Sequence, residues 1–163
     1  MNQPPTFAEV LTPDFERRAD AIIARYPQKR SAILPLFHLV QNACNYIPED
    51  GMRFIAKKLG LNMNDVYETL TFYSMLFTEP IGRYHIQLCR TISCYLCGAP
   101  HIREHLEKRL GIKPGQKTPD GRFRLSEVEC IGACSAAPAM QINFDFHENL
   151  TPDKVDAILD ALP

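Results

Sequence analysis

Two cysteine-bearing stretches constrain this chain more than any other feature. CRTISCYLCGAP runs from Cys89 to Pro100 and carries three cysteines; ECIGACSAAP runs from Glu129 to Pro138 and carries two. Each follows an apolar pattern of strand type: Tyr84, Ile86 and Leu88 before Cys89, and Phe123, Leu125 and Val128 before Cys130. Alternation of this kind marks a strand with one face buried. Between the two, Ile102, Leu106 and Leu110 recur at helical spacing and Gly111 closes the run. A strand–helix–strand unit of about 30 residues or more normally forms a parallel pair. Parallel strands end on the same side of a sheet. The pattern therefore predicts that the loops after Cys89 and Cys130 lie side by side and can enclose one metal centre.

The elements around this unit complete the expected fold. Met140, Ile142 and Phe144 alternate again, and Thr151–Pro152 open a last helix with Val155, Ile158, Leu159 and Leu162 inward. Residues 81–163 thus read as a β-α-β-β-α layer domain, so the fold class is α/β (α+β). Residues 13–80 read as a helical bundle domain. Thr12–Pro13 starts a first helix reaching about Tyr26. Ile33 to Ile47 form a second, with Pro35 marking a late start or a bend. Gly60 stops a third, and Asn62 caps a fourth bearing Val66, Leu70, Tyr73 and Phe77. Residues 1–12, with Pro4 and Pro5, read as a flexible lead-in.

Charge narrows the partners. The chain has net charge −1, with 8 acidic and 8 basic residues up to Thr78 and 11 and 10 beyond. That balance weighs against nucleic acid as the main partner, although the helix–Gly60–helix pair resembles a helix-turn-helix; docking on partner proteins is the expected role of this half. No apolar run approaches the ~18 residues of a membrane span, and the N-terminus reads as neither a secretory nor a transit signal. The expectation is a cytoplasmic protein, where cysteine clusters serve metals or redox chemistry more often than structural disulfides.

Spacing leaves several centres open. Six cysteines permit a disulfide framework. A zinc site fits Cys94-x2-Cys97 with Cys130-x3-Cys134. A [2Fe–2S] cluster fits either Cys89, Cys94 and Cys97 with Cys130, in the plant-type spacing, or Cys89 and Cys94 with Cys130 and Cys134. Gly132 permits close backbone approach, and amide N–H groups donating to sulfur tune such a centre. Arg90 beside Cys89 can offset cluster charge. Cys44, on an apolar helix face, reads as a core residue. The five histidines pair with no carboxylate at catalytic spacing.

With both stretches in view, the chain resembles the thioredoxin-like [2Fe–2S] ferredoxin subunit (E-type) of NADH:quinone oxidoreductase, respiratory complex I. TFYSMLFTEPIGRYHIQLC, LGIKPGQKTPDGRF and ECIGACSAAP carry the resemblance. It implies a helical domain followed by a thioredoxin-like domain. It also implies cluster ligands Cys89, Cys94, Cys130 and Cys134, with Cys97 a spare thiol. The expected partners are a flavoprotein subunit that binds FMN and oxidises NADH, and the other subunits of the peripheral arm, at the cytoplasmic face of the inner membrane. Relatives occur in NAD-linked hydrogenases and formate dehydrogenases. The chain would act in an oxidoreductase complex with no acid, base or nucleophile of its own. The reading it displaces is a zinc-stabilised helix-turn-helix module. Ser93 departs from the proline that many relatives carry before the second ligand.

Overall fold

The computed structural model describes residues 5–163. The chain divides into two compact units, the first ending at Pro80 and the second beginning at Ile81. In the first, helices α1 (Phe7–Val10), α2 (Pro13–Ile23), α3 (Ile33–Cys44), α4 (Glu49–Leu59) and α5 (Met63–Phe72) surround a core that includes Leu36, Phe37, Val40, Ile55 and Leu70. Local signals set most boundaries. The Thr12 hydroxyl accepts from the Phe15 amide at 3.2 Å, and the Asn62 side chain accepts from the Asp65 amide at 2.9 Å. Gly60 ends α4 in the left-handed region at φ 69°. Pro35 lies in the first turn of α3, where its missing N–H leaves no helical bond unmade. Cys44 is buried in this core, and burial pushes its thiol up.

Three expectations for this unit need correction. Part of the stretch read as a flexible lead-in is helical: α1 buries Phe7, whose ring lies 5.8 Å from Phe15 and 5.5 Å from Phe54. Residues 1–4, with Pro4, lie outside the described residues. Ile47 falls beyond α3, because Asn45 turns the chain at φ 66°; it is nonetheless buried, and its amide donates to Phe77 O at 2.7 Å. Tyr73 and Phe77 lie past the end of α5.

The second unit is a mixed sheet with helices. Strands β1 (Tyr84–Cys89), β2 (Phe123–Val128), β3 (Met140–Ile142) and β4 (Asp145–His147) stand in the order β2-β1-β3-β4. β1 and β2 are parallel, as the crossover rule requires, with Cys89 opposite Val128. β3 runs antiparallel to both β1 and β4. Ile86, Leu88, Leu125, Met140 and Ile142 pack with Ile102 and Leu106 of α7 (Ala99–Leu110) and with Val155 and Leu159 of α8 (Pro152–Ala161). The other face of β1 carries His85 and Gln87, yet both are buried, at 3% and 2% exposure. His85 is held by Ser126, Nε2 to Oγ 2.9 Å, and its amide donates to Asn143 Oδ1 at 2.9 Å.

Two elements differ from the sequence reading. A short helix α6 (Ile92–Leu96) forms inside the first cysteine stretch. The alternation from Met140 to Phe144 is a hairpin rather than one strand: Asn143 turns at φ 54°, and Phe144 sits at the turn with 70% exposure.

Candidate metal centre

β1 ends at Cys89, and β2 hands its chain to Cys130 two residues after Val128, so the parallel register sets the two cysteine loops side by side. Backbone bonds fix the junction. The Cys89 amide donates to Ala139 O at 3.1 Å, and the Arg90 amide donates to Val128 O at 3.0 Å. Arg90 also grips Glu129 through Nε and Nη2 at 3.0 and 2.6 Å, so its charge is matched across the loops by a carboxylate. Cys89 and Cys94 are 1% and 2% exposed and pack with Ala99, Ala133 and Ala139 in a small apolar pocket of their own. Cys130 and Cys134 are exposed.

The four sulfurs fall into two pairs. Cys130 Sγ and Cys134 Sγ are 3.6 Å apart. Two thiolates on one tetrahedral metal, each ~2.3 Å from it, stand about 3.8 Å apart. In the other pair Cys89 and Cys94 act on each other's ionisation. Among the described residues no group of three or more His, Cys, Asp or Glu side chains is arranged to hold a metal ion as it stands. The sulfurs form two bidentate sets in adjoining loops, not one closed tetrahedron.

Polar hydrogens point at these sulfurs. The Gly132 amide donates to Cys130 Sγ at 3.4 Å, with Gly132 in the left-handed region at φ 84°. Thr91 Oγ1 lies 3.3 Å from Cys89 Sγ. Burial pushes the Cys89 thiol up, but the Thr91 hydroxyl and amide, Cys94 and the Ile131 amide outweigh it and hold Cys89 below the usual thiol range. Burial and Cys89 push Cys94 up to about 11, against the Ala139 amide. The Gly132 amide, Cys134 and the Thr91 hydroxyl hold Cys130 low, and Cys130 holds Cys134 high, against the Ser93 hydroxyl. Each pair therefore has one thiol poised to ionise and one that keeps its proton beside it. A metal that takes both sulfurs must displace that proton, so binding is tied to proton release.

The donor set fits a [2Fe–2S] cluster: four thiols, paired two and two, with amides and hydroxyls aimed at sulfur. Cys97 ends α6, exposed, with its amide donating to Ser93 O at 3.0 Å. The sequence reading did not single out Thr91, Ile131 or Ala139. Only the threonine had a visible signal, as a hydroxyl residue between two closely spaced cysteines.

Comparison with known proteins identifies the family. The family model of the thioredoxin-like [2Fe-2S] ferredoxin matches residues 19–163. The second E-type subunit of the NADH-quinone oxidoreductase of Rhizobium meliloti (strain 1021) is 47% identical over 142 residues, covering 87% of this chain and 84% of that protein. The corresponding E-type subunit of the NADH-quinone oxidoreductase of Rickettsia conorii (strain ATCC VR-613 / Malish 7) is 44% identical over 147 residues, covering 88% of each. Among solved structures, an NAD+-reducing [NiFe]-hydrogenase in the air-oxidized state superposes with a TM-score of 0.68 at 25% identity. The match covers 77% of this chain but only 22% of that one. The resemblance carried by the motif stretches is borne out, and the chain belongs to the thioredoxin-like [2Fe-2S] ferredoxin family.

Proposed function

We propose that this chain is the E-type subunit of an NADH-quinone oxidoreductase and holds one [2Fe–2S] cluster on Cys89, Cys94, Cys130 and Cys134. The observation that carries the reading is the meeting of two thiol pairs at the ends of parallel strands, inside a chain 47% identical to a protein of that name. When bound, the cluster supplies one-electron transfer, here with the FMN of a neighbouring flavoprotein subunit that oxidises NADH. This chain's residues hold and tune that group. Cys89 and Cys94 anchor it from the buried side, Cys130 and Cys134 close it from the exposed side, and the Gly132 amide donates to Cys130 Sγ while the Ile131 and Ala139 amides favour the ionised forms of Cys89 and Cys94.

The partner surface has support on each unit. Ile92 and Leu96, one turn apart on α6, are exposed together with Tyr95 beside Cys94. On the helical unit Tyr67, Phe72 and Tyr73 are exposed, with Phe72 and Tyr73 ring centroids 5.1 Å apart. Exposed apolar groups of this kind suit protein contacts within the peripheral arm at the cytoplasmic face of the inner membrane. Among the described residues no helix is long and apolar enough to cross a membrane. The fold match to the NAD+-reducing hydrogenase favours the corresponding subunit of such an enzyme as the second reading, but its 25% identity stands below the 47% of the Rhizobium protein.

The test is elemental analysis and spectroscopy of the full chain purified without oxygen. The expected result is two irons and two acid-labile sulfides per chain, with a rhombic electron paramagnetic resonance signal on reduction. One zinc per chain and no iron would refute the reading.

A further inference from the structure

Thr91 occupies the position just before α6 where a threonine ordinarily caps a helix. Its backbone has the extended geometry of a cap, φ −74° and ψ 170°, yet its side chain makes no capping bond. At Thr6, before α1, the hydroxyl donates to Glu9 Oε2 at 2.8 Å, but the caps of the longer helices behave as expected. The Thr12 and Thr151 hydroxyls each accept from an amide of the first helical turn, at 3.2 Å, and Asn62 does so at 2.9 Å. The Thr91 hydroxyl is turned to sulfur instead. It lies 3.3 Å from Cys89 Sγ on its own loop, and it also helps hold the Cys130 thiol low.

We propose that Thr91 is a positioning residue that holds Cys89 at the end of β1 and raises the reduction potential of the centre by donating its hydroxyl hydrogen to the Cys89 sulfur. This rests on the cluster assignment above. A thiolate bound to metal carries no proton, so in the loaded protein the hydroxyl is the only possible donor of this bond. Reduction adds one electron to the centre and breaks no bond in this chain. The added negative charge raises the accepting power of the sulfurs, and a donor already in place therefore favours the reduced form. The capping bond that α6 forgoes is redirected to this end.

Thr91→Val keeps the shape and the β-branch and removes the hydroxyl; Thr91→Ser keeps the hydroxyl. Each is compared with the native full chain, first for iron and sulfide content, then by redox titration followed by electron paramagnetic resonance. The expected result is that T91V shifts the one-electron equilibrium toward the oxidised form about tenfold, or 59 mV lower for a one-electron couple, while T91S stays within about twofold of the native protein. A loaded T91V whose equilibrium moves less than about twofold overturns the proposal, as does T91S falling as far as T91V. If T91V takes up no cluster, the native protein still decides. After brief exchange into heavy water, pulsed resonance of its reduced cluster must show a coupled deuteron from the fast-exchanging hydroxyl, and its absence overturns the proposal. A native chain that holds no iron refutes the cluster assignment itself, which separates that failure from this one.

Discussion

His85 makes the second unit sensitive to acid in a defined window. The ring is buried near the start of β1, with Nε2 on Ser126 Oγ. Burial, with a smaller contribution from the Arg124 guanidinium, pushes its pKa down to about 4. An unfolded histidine titrates near 6.5. Between these values the unfolded chain binds the proton and the folded chain does not, so stability rises with pH across that interval. The contribution is fully present above the unfolded value and is lost as pH falls from about 6.5 to about 4. Below that, both states carry the proton and this group takes away nothing more. The difference in pKa corresponds to about 3 kcal/mol. The assay is urea unfolding at a series of pH values between neutrality and pH ~4, on the native chain and His85→Gln in the same metal-loaded state. Subtracting the variant removes losses common to both, such as protonation of cysteine ligands. The native chain should lose about 3 kcal/mol more than the variant across the window. Parallel loss in both proteins, or a His85 ring titrating near 6.5 in the folded chain by nuclear magnetic resonance, refutes the argument.

Gly82→Ala should destabilise by about 2 kcal/mol or more, because φ is 84° and the new Cβ would stand 2.8 Å from Gly121 O, a carbonyl that already accepts the Arg83 amide; thermal unfolding measures it. Thr151→Ala removes the acceptor of the Lys154 amide at the start of α8 and should cost about 1 kcal/mol, read in the same way. Cys97→Ala should keep a full complement of iron and sulfide, whereas Cys134→Ser should lose most of it; the reverse outcome would favour the plant-type ligand set.

Helix ends marked by local chemistry were legible in the sequence. Thr12–Pro13, Gly60, Asn62, Gly111 and Thr151–Pro152 act within a few residues, and the structure uses each as a cap or stop. The parallel pairing of β1 with β2 followed from a chain-length rule. Elements set by tertiary contact escaped. α1 is a single turn that buries Phe7; its capping box of Thr6 and Glu9, whose carboxylate accepts the Thr6 amide at 2.7 Å, was a local signal that the reading missed, and α6 is too short to show a period. β4 hid in an alternation that Asn143 interrupts. His85 and Gln87 follow the alternation of a strand with one wet face, but all six residues of β1 are buried. At the candidate centre, the meeting of the two cysteine loops could be read from topology. The donors to sulfur could not, since Ala139 addresses Cys94 from a distant part of the chain and Thr91 gives up a capping role for its place.

The thiol pairs differ in their access to the outside. Cys89 and Cys94 back onto alanines inside the fold, while Cys130 and Cys134 ride on a glycine-bearing loop at the surface. A centre built here would have a sealed wall and an open rim. Iron and sulfide would arrive across the rim, and the Cys130–Cys134 loop would close last. Electrons, oxidants and chelators would meet the same edge. One short loop would then govern how the centre is assembled, how it is wired and where it first fails.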